Sequence, residues 1–158
     1  MVRDELLSRG MECFLPLRTR ISRWRGQSKR IEWTIFPGYC FVRISNEQHC
    51  MVAETSGVIE IVCDELGSVA IPEAEIIAIQ RLIECGLRYD CHYSGTVNDG
   101  VTVNVIRGRL LGVQGTVARK DGAWHLILSI HLVRKGLSVE IDPDDTNRRA
   151  ELLQDPSQ

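Results

Sequence analysis

Between Arg18 and Arg30 the chain carries six Lys or Arg residues and no acid, with Trp24 and Gly26 at the centre of the run. Cations spaced along a short segment can meet successive phosphates, and an indole among them can stack on an unpaired base. Arg20, Arg23, Trp24, Arg25, Lys29 and Arg30 are therefore candidate nucleic-acid contacts, carried on an exposed hairpin or loop that turns at Gly26. Composition alone is equally consistent with an ordinary solvated loop.

The other residues that could do chemistry are scattered. Cysteines stand at positions 13, 40, 50, 63, 85 and 91, all outside any CxxC spacing. His49-Cys50, Cys85, Cys91 and His92 make the one local cluster. It lacks the two ligands on a short turn that open a zinc site. The opening MVRDELLSRG has four charges in ten residues and no apolar core, so it is no signal peptide. Reduced thiols packed in the interior follow, with neither metal, cofactor nor disulfide needed for folding. A Ser-His-Asp or Cys-His signature, a glycine-rich phosphate loop and a helically spaced histidine pair are all missing, which argues against an enzyme. His125 and His131 flank an apolar run and read as exposed strand positions.

Charge is uneven. The net value is -2, yet residues 1–43 hold nine Lys/Arg against four Asp/Glu, and residues 44–93 hold two against nine. A basic block beside an acidic one suits a protein that touches a polyanion on one face only. With 158 residues, 44% hydrophobic and 25% charged, disordered and fibrous classes are excluded and one or two domains are expected. No apolar run is long enough to span a bilayer, which points to a soluble cytoplasmic protein.

The elements that must carry these residues are legible in part. Val2, Leu6 and Leu7 share a helix face closed by Gly10, and Met11–Leu15 is a short strand stopped by Pro16. After the Pro37-Gly38 turn, Cys40, Val42 and Ile44 fall on one face of a strand and Tyr39, Phe41 and Arg43 on the other. Both faces are apolar. Spacing favours a strand covered on both sides by its own fold; the other reading is an aromatic surface awaiting a partner. Asn46 caps a short helix to Thr55, Val58–Cys63 is a strand, and residues 64–67 turn. Pro72 opens a helix with an Ile76, Ile77, Ile79, Leu82, Ile83 stripe.

From residue 94 the period changes. Residues 94–100 are a polar linker. Beyond it Val101, Val103 and Val105, then Leu111, Val113, Gly115 and Val117, then Trp124, Leu126, Leu128 and Ile130, then Leu137, Val139 and Ile141 alternate as strands do. Four or five short strands with glycines at the bends predict a small closed barrel over 101–142. The acidic stretch 143–158 reads as a flexible tail.

The run from Gly100 to Val117, with Val103, Gly108, Gly112, Gly115 and Val117 as its marks, resembles a KOW motif. Gly108 and Gly112 can supply turn dihedrals, and Gly115 a close backbone approach. Phe14-Leu15-Pro16, the basic loop, the Ile35–Ile44 stretch, Gly57-Val58 and Ile71-Pro72 resemble the NusG N-terminal (NGN) domain in order and spacing. Together the two resemblances span about residues 1–142. The aromatic strand and the SIHLVRKGLSVEID ending are closest in character to the specialised RfaH, UpxY and LoaP paralogues. Members of the family start with a Trp-Tyr strand ahead of the first helix. This sequence begins inside that helix, so residues 1–93 are expected to lack the first strand.

The resemblance implies an α+β protein: an NGN α/β sandwich, with an antiparallel sheet and flanking helices, followed by an SH3-like KOW barrel. It implies a monomeric elongation or antitermination factor. Phe36, Pro37, Tyr39 and Phe41 would meet the clamp helices of RNA polymerase, and the basic loop would meet non-template DNA. The KOW domain would dock Rho or a small-subunit ribosomal protein. The alternative is a ribosome-associated or RNA-binding KOW protein, which needs no aromatic clamp-binding face.

Overall fold

The computed structural model describes residues 2–24, 26–64, 67–68, 70–93 and 100–149. Arg25, Glu65 and Leu66 of the expected turn, residues 94–99 of the expected linker and residues 150–158 of the expected tail lie outside the described residues. Two units are present, Met1–Val69 and Ala70–Gln158.

In the first unit, helix α1 (Val2–Ser8) buries Leu6, while Leu7, one residue and 100° further round, is exposed. The helix ends at Gly10, φ +77, where the Met11 N–H returns to the Leu6 carbonyl at 3.1 Å. Strand β1 (Glu12–Phe14) then pairs antiparallel with a later strand, Phe41–Arg43, placing Cys13 opposite Val42 and Phe14 opposite Phe41. Between them lies a hairpin of two eight-residue strands, β2 (Leu17–Trp24) and β3 (Gln27–Thr34), so Phe41–Arg43 is β4. The Ser45 N–H bonds Gln48 Oε1 at 3.0 Å and opens a single 3-10 turn into α2 (His49–Ala53). The cap is thus Ser45 rather than Asn46. Leu6, Met11 and Val52 form the core of this unit, with Val2, Cys13, Cys40, Val42, Ile44 and Ile61 packed on it.

Two expectations are corrected here. Residues 58–62 form no strand: Ile59 is 97% exposed, and pairing starts only at β5 (Cys63–Asp64) with β6 (Gly67–Ser68). Nor, among the described residues, do the strands of this unit join in one sheet. Among the described residues they make three separate pairs, β1–β4, β2–β3 and β5–β6.

The second unit begins with α3 (Glu73–Glu84), which Pro72 precedes and which carries Glu73 and Glu75 in its first turn. Both features suit a helix start, where donors are unpaired and the dipole is positive. Ala78, Ile79 and Leu82 are its buried residues. Strands β7 (Asp90–Tyr93), β8 (Val101–Asn104), β9 (Gln114–Lys120), β10 (Ala123–Ile130) and β11 (Lys135–Glu140) follow. They form one antiparallel sheet in the order β7-β11-β10-β9-β8. The described pairing is therefore an open sheet with β7 and β8 at its edges. Val117, Leu126 and Val139 stand side by side across three strands and are all buried. Ile127 and Ser138, paired on the reverse face, are buried too.

Helix α3 packs against β10 and is tied to this unit at both ends. Near its start Glu75 accepts from the His131 N–H at 3.1 Å and lies 2.7 Å from His131 Nδ1. At its end Arg81 Nη1 donates to the Leu111 carbonyl at 2.9 Å, and Arg109 Nη1 donates to the Cys85 carbonyl at 3.1 Å. These bonds explain why the two units divide before α3, upstream of the linker read at 94–100. The stretch after β11 is held as well. Thr146 is buried and bridges Val105, and Asn147 exchanges hydrogen bonds with Asn104 through its N–H (3.0 Å) and Oδ1 (2.9 Å). Residues 143–147 are accordingly not a loose tail.

Gly115 faces Val103 across β8 and β9, where β10 comes close. A Cβ there would stand 2.8 Å from both Leu126 Cδ1 and Leu128 Cδ2 and 2.9 Å from the Ile127 carbonyl oxygen. Side chains can shift; a paired backbone oxygen cannot without loss of the ladder. Gly115→Ala is expected to destabilise the second unit by about 1–3 kcal/mol, as overpacking does. Thermal melting checks this, and an unchanged midpoint would contradict the close approach.

Candidate functional site

The aromatic stretch is organised by a turn and a short ladder. Pro37 sets the backbone dihedral for the second position of a turn, and Gly38, φ +84, occupies the third, where a side chain would be strained. The Tyr39 N–H closes the turn on the Phe36 carbonyl at 3.1 Å. The turn seats Phe36 edge-on against Phe41, centroids 5.8 Å apart at 89°, while Phe14 lies 6.1 Å from Phe41 on the paired strand. Phe36 is 1% exposed and Phe41 8%. Phe14 and Tyr39 are half-buried, and Pro37 is exposed. Of the four residues read as polymerase contacts, Tyr39 and Pro37 reach the surface and Phe36 and Phe41 form their support. Phe14, missing from that set, completes the support; its signal in the sequence was its place two residues before the strand-stopping Pro16.

Strand period explains the remainder. Cys13 and Val42 point to the core that Leu6, Met11 and Val52 form, and Cys40 and Ile44 pack there as well. Phe14 and Phe41 point the other way, beside the exposed Glu12–Arg43 ion pair at 3.7 Å. On the core side Cys13 Sγ and Cys40 Sγ lie 2.8 Å apart. Burial, then the hydrogen bond to Cys40 and its charge, push the Cys13 thiol up to about 12.

The basic segment is an antiparallel hairpin turned at Gly26, φ +78. Its register sorts the cations onto two faces. Arg18, Arg20 and Ser22 stand opposite Trp33, Ile31 and Lys29; Thr19, Ile21 and Arg23 stand opposite Glu32, Arg30 and Ser28 on the reverse face. No two like charges are directly opposed in the described pairs, the arrangement in which cross-strand repulsion is strongest. Arg20, Arg23, Lys29 and Arg30 are exposed, and Arg30 Nε lies 3.6 Å from Glu32 Oε1. Trp24 pairs with Gln27 through its backbone. Trp33, 49% exposed, and Arg18 add an indole and a cation that the sequence reading left out of this set. Their signal was the two-residue period running through Lys29, Ile31 and Trp33.

In the second unit Val103 and Val117 are buried, and Gly108 and Gly112 take φ of +78 and +81. Among the described residues no group of three or more His, Cys, Asp or Glu is placed to hold a metal ion. Nor is any described helix long and apolar enough to cross a membrane.

Exposed cations on a two-faced hairpin and a tyrosine displayed on a turn are the kinds of group that bind macromolecules. The family model described as "Transcription termination factor nusG" matches residues 1–80, half of the chain, and the chain belongs to the NusG family of transcription factors. Proteins of this family are non-enzymatic and bind RNA polymerase. No curated protein sequence matches the chain significantly.

The burial difference within the aromatic stretch has a measurable consequence. Phe41→Ala is expected to cost about 3–5 kcal/mol, the usual figure for a buried Phe, and to lower the melting midpoint sharply. Tyr39→Ala, which leaves the Phe14–Phe41–Phe36 stack in place, is expected to cost much less. Equal losses in thermal melts of the two variants would contradict the assigned packing.

Proposed function

We propose that the chain is a transcription elongation or antitermination factor that binds RNA polymerase through residues 1–93, an NGN domain. The surface of contact is the turn at Pro37 and Tyr39, held outward by Phe36 and Phe41, on the clamp helices of the polymerase. Binding there favours the closed, elongating enzyme over the paused one, a shift of population rather than chemistry. The observation that carries this reading is the family match over residues 1–80, which includes the whole aromatic stretch and the hairpin. The outward-facing turn supports it.

In this reading the β2–β3 hairpin meets non-template DNA through Arg20, Arg23, Arg25, Lys29 and Arg30, with Trp24 stacking on a base. Residues 101–142 are a KOW domain of SH3-like barrel type, marked by Val103, Gly108, Gly112, Gly115 and Val117, that docks Rho or a small-subunit ribosomal protein. The protein acts in the cytoplasm as a monomer, as a specialised paralogue of the RfaH, UpxY and LoaP type.

Affinity for purified RNA polymerase core tests the contact. Pro37→Ala with Tyr39→Ala is expected to weaken binding about tenfold or more while the melting midpoint holds, since truncating an interface anchor typically removes 2 kcal/mol or more. Unchanged affinity in the folded double variant would refute the surface, and capture of ribosomes in place of polymerase from a lysate would favour a ribosome-associated KOW protein. For the hairpin, Arg20→Ala with Arg23→Ala is expected to weaken DNA binding and flatten its dependence on salt, because each phosphate contact releases counterions. Salt-insensitive DNA binding would contradict a phosphate role.

A further inference from the structure

We propose that Cys13 and Cys40 form a reversible dithiol–disulfide switch that, when oxidised, fastens β1 to the turn carrying Tyr39. The two residues are 27 positions apart in sequence, yet their sulfurs lie 2.8 Å apart. A covalent S–S bond of about 2.05 Å requires only a further approach of about 0.8 Å. The approach follows from the register: Cys13 stands opposite Val42, so Cys40, two residues before Val42, lies on the same core-facing side. Cys85 bonds the Leu82 carbonyl, Cys63 the Ile61 carbonyl, and Cys50 and Cys91 are exposed. Cys13 and Cys40 are each partly exposed, within reach of a small reagent.

The oxidant is a low-molecular-weight disulfide. One of the two cysteines, as thiolate, attacks one of the oxidant's sulfurs and releases the first small thiol, leaving a mixed disulfide on that residue. The other then loses its proton to solvent, attacks that sulfur and expels the second small thiol. Two protein thiols and one small disulfide become one protein disulfide and two small thiols, a two-electron exchange. In a reducing compartment such a bond is transient, as sensing disulfides are.

The test uses the full chain incubated with excess oxidised glutathione at pH 8, then alkylated and digested with trypsin. Six cysteines are expected to alkylate in the untreated protein; after oxidation Cys13 and Cys40 are expected to escape alkylation without carrying glutathione, and peptide 10–18 is expected to appear linked to peptide 31–43. The linked protein is expected to melt on the order of 10 °C higher than the reduced one, a gain reversed by dithiothreitol. Alkylation that stays at six, glutathione adducts alone, or linkage of any other pair would overturn the proposal. Because the mapping is done on unmutated protein and needs no polymerase, it is independent of the proposed function.

Discussion

The pairing of Phe14 with Phe41 is the constraint on which the first unit depends. Strands β1 and β4 are three residues each, so this register places every side chain of the region on one of two sides. One side delivers Cys13 and Val42 to α1 and α2; the other delivers two phenylalanines to Phe36. A slip of one residue would exchange the two sets and leave the helices facing rings too large for the site. Pro16 prevents continuation of the ladder, since it would stand opposite Tyr39 and has no N–H to donate. The chain from Pro37 to Cys40 is thereby free of the strand and can turn outward. Support below and display above are consequences of one short pairing.

The second unit rests on a different kind of restraint. Its sheet is closely packed at Gly115, and its helix is held by polar bonds at both ends rather than by apolar cover alone. Each of these bonds uses a main-chain group that would otherwise be unpaired at a helix end or in a turn. Those ties are specific in a way that an apolar stripe is not, because only one registration of α3 on the sheet satisfies all of them together.

The difference also marks how far the sequence could be read. Strands β8 to β11 were visible because alternation of Val, Leu and Ile with polar residues has one structural meaning, and α3 was visible from Pro72 and its stripe. What the stripe could not say was its partner: Ile79 and Leu82 demand cover, but only Glu75, Arg81 and Arg109 name what provides it. The failure at 58–62 has the same origin. Val58, Ile59, Ile61 and Val62 have strand character, yet a strand needs a neighbour to accept its hydrogen bonds, and none of the described strands lies there. For the candidate site, the residue types were legible and the depth was not. The family resemblance places Phe36 and Phe41 at a contact surface, whereas strand spacing favours cover on both faces; the ring-on-ring packing that buries them depends on Phe14, 27 residues away from Phe41 in sequence.

The central claim is that the first unit meets RNA polymerase through the turn at Pro37–Tyr39. Hydrogen exchange of the full chain, alone and bound to polymerase core, measures this without altering a residue. The account predicts slowed exchange at the amides of residues 38–41 and in the neighbouring β1 strand, with strands β7 to β11 unchanged. Protection confined to residues 101–142, with the turn exchanging as fast in the complex as in the free protein, would contradict it.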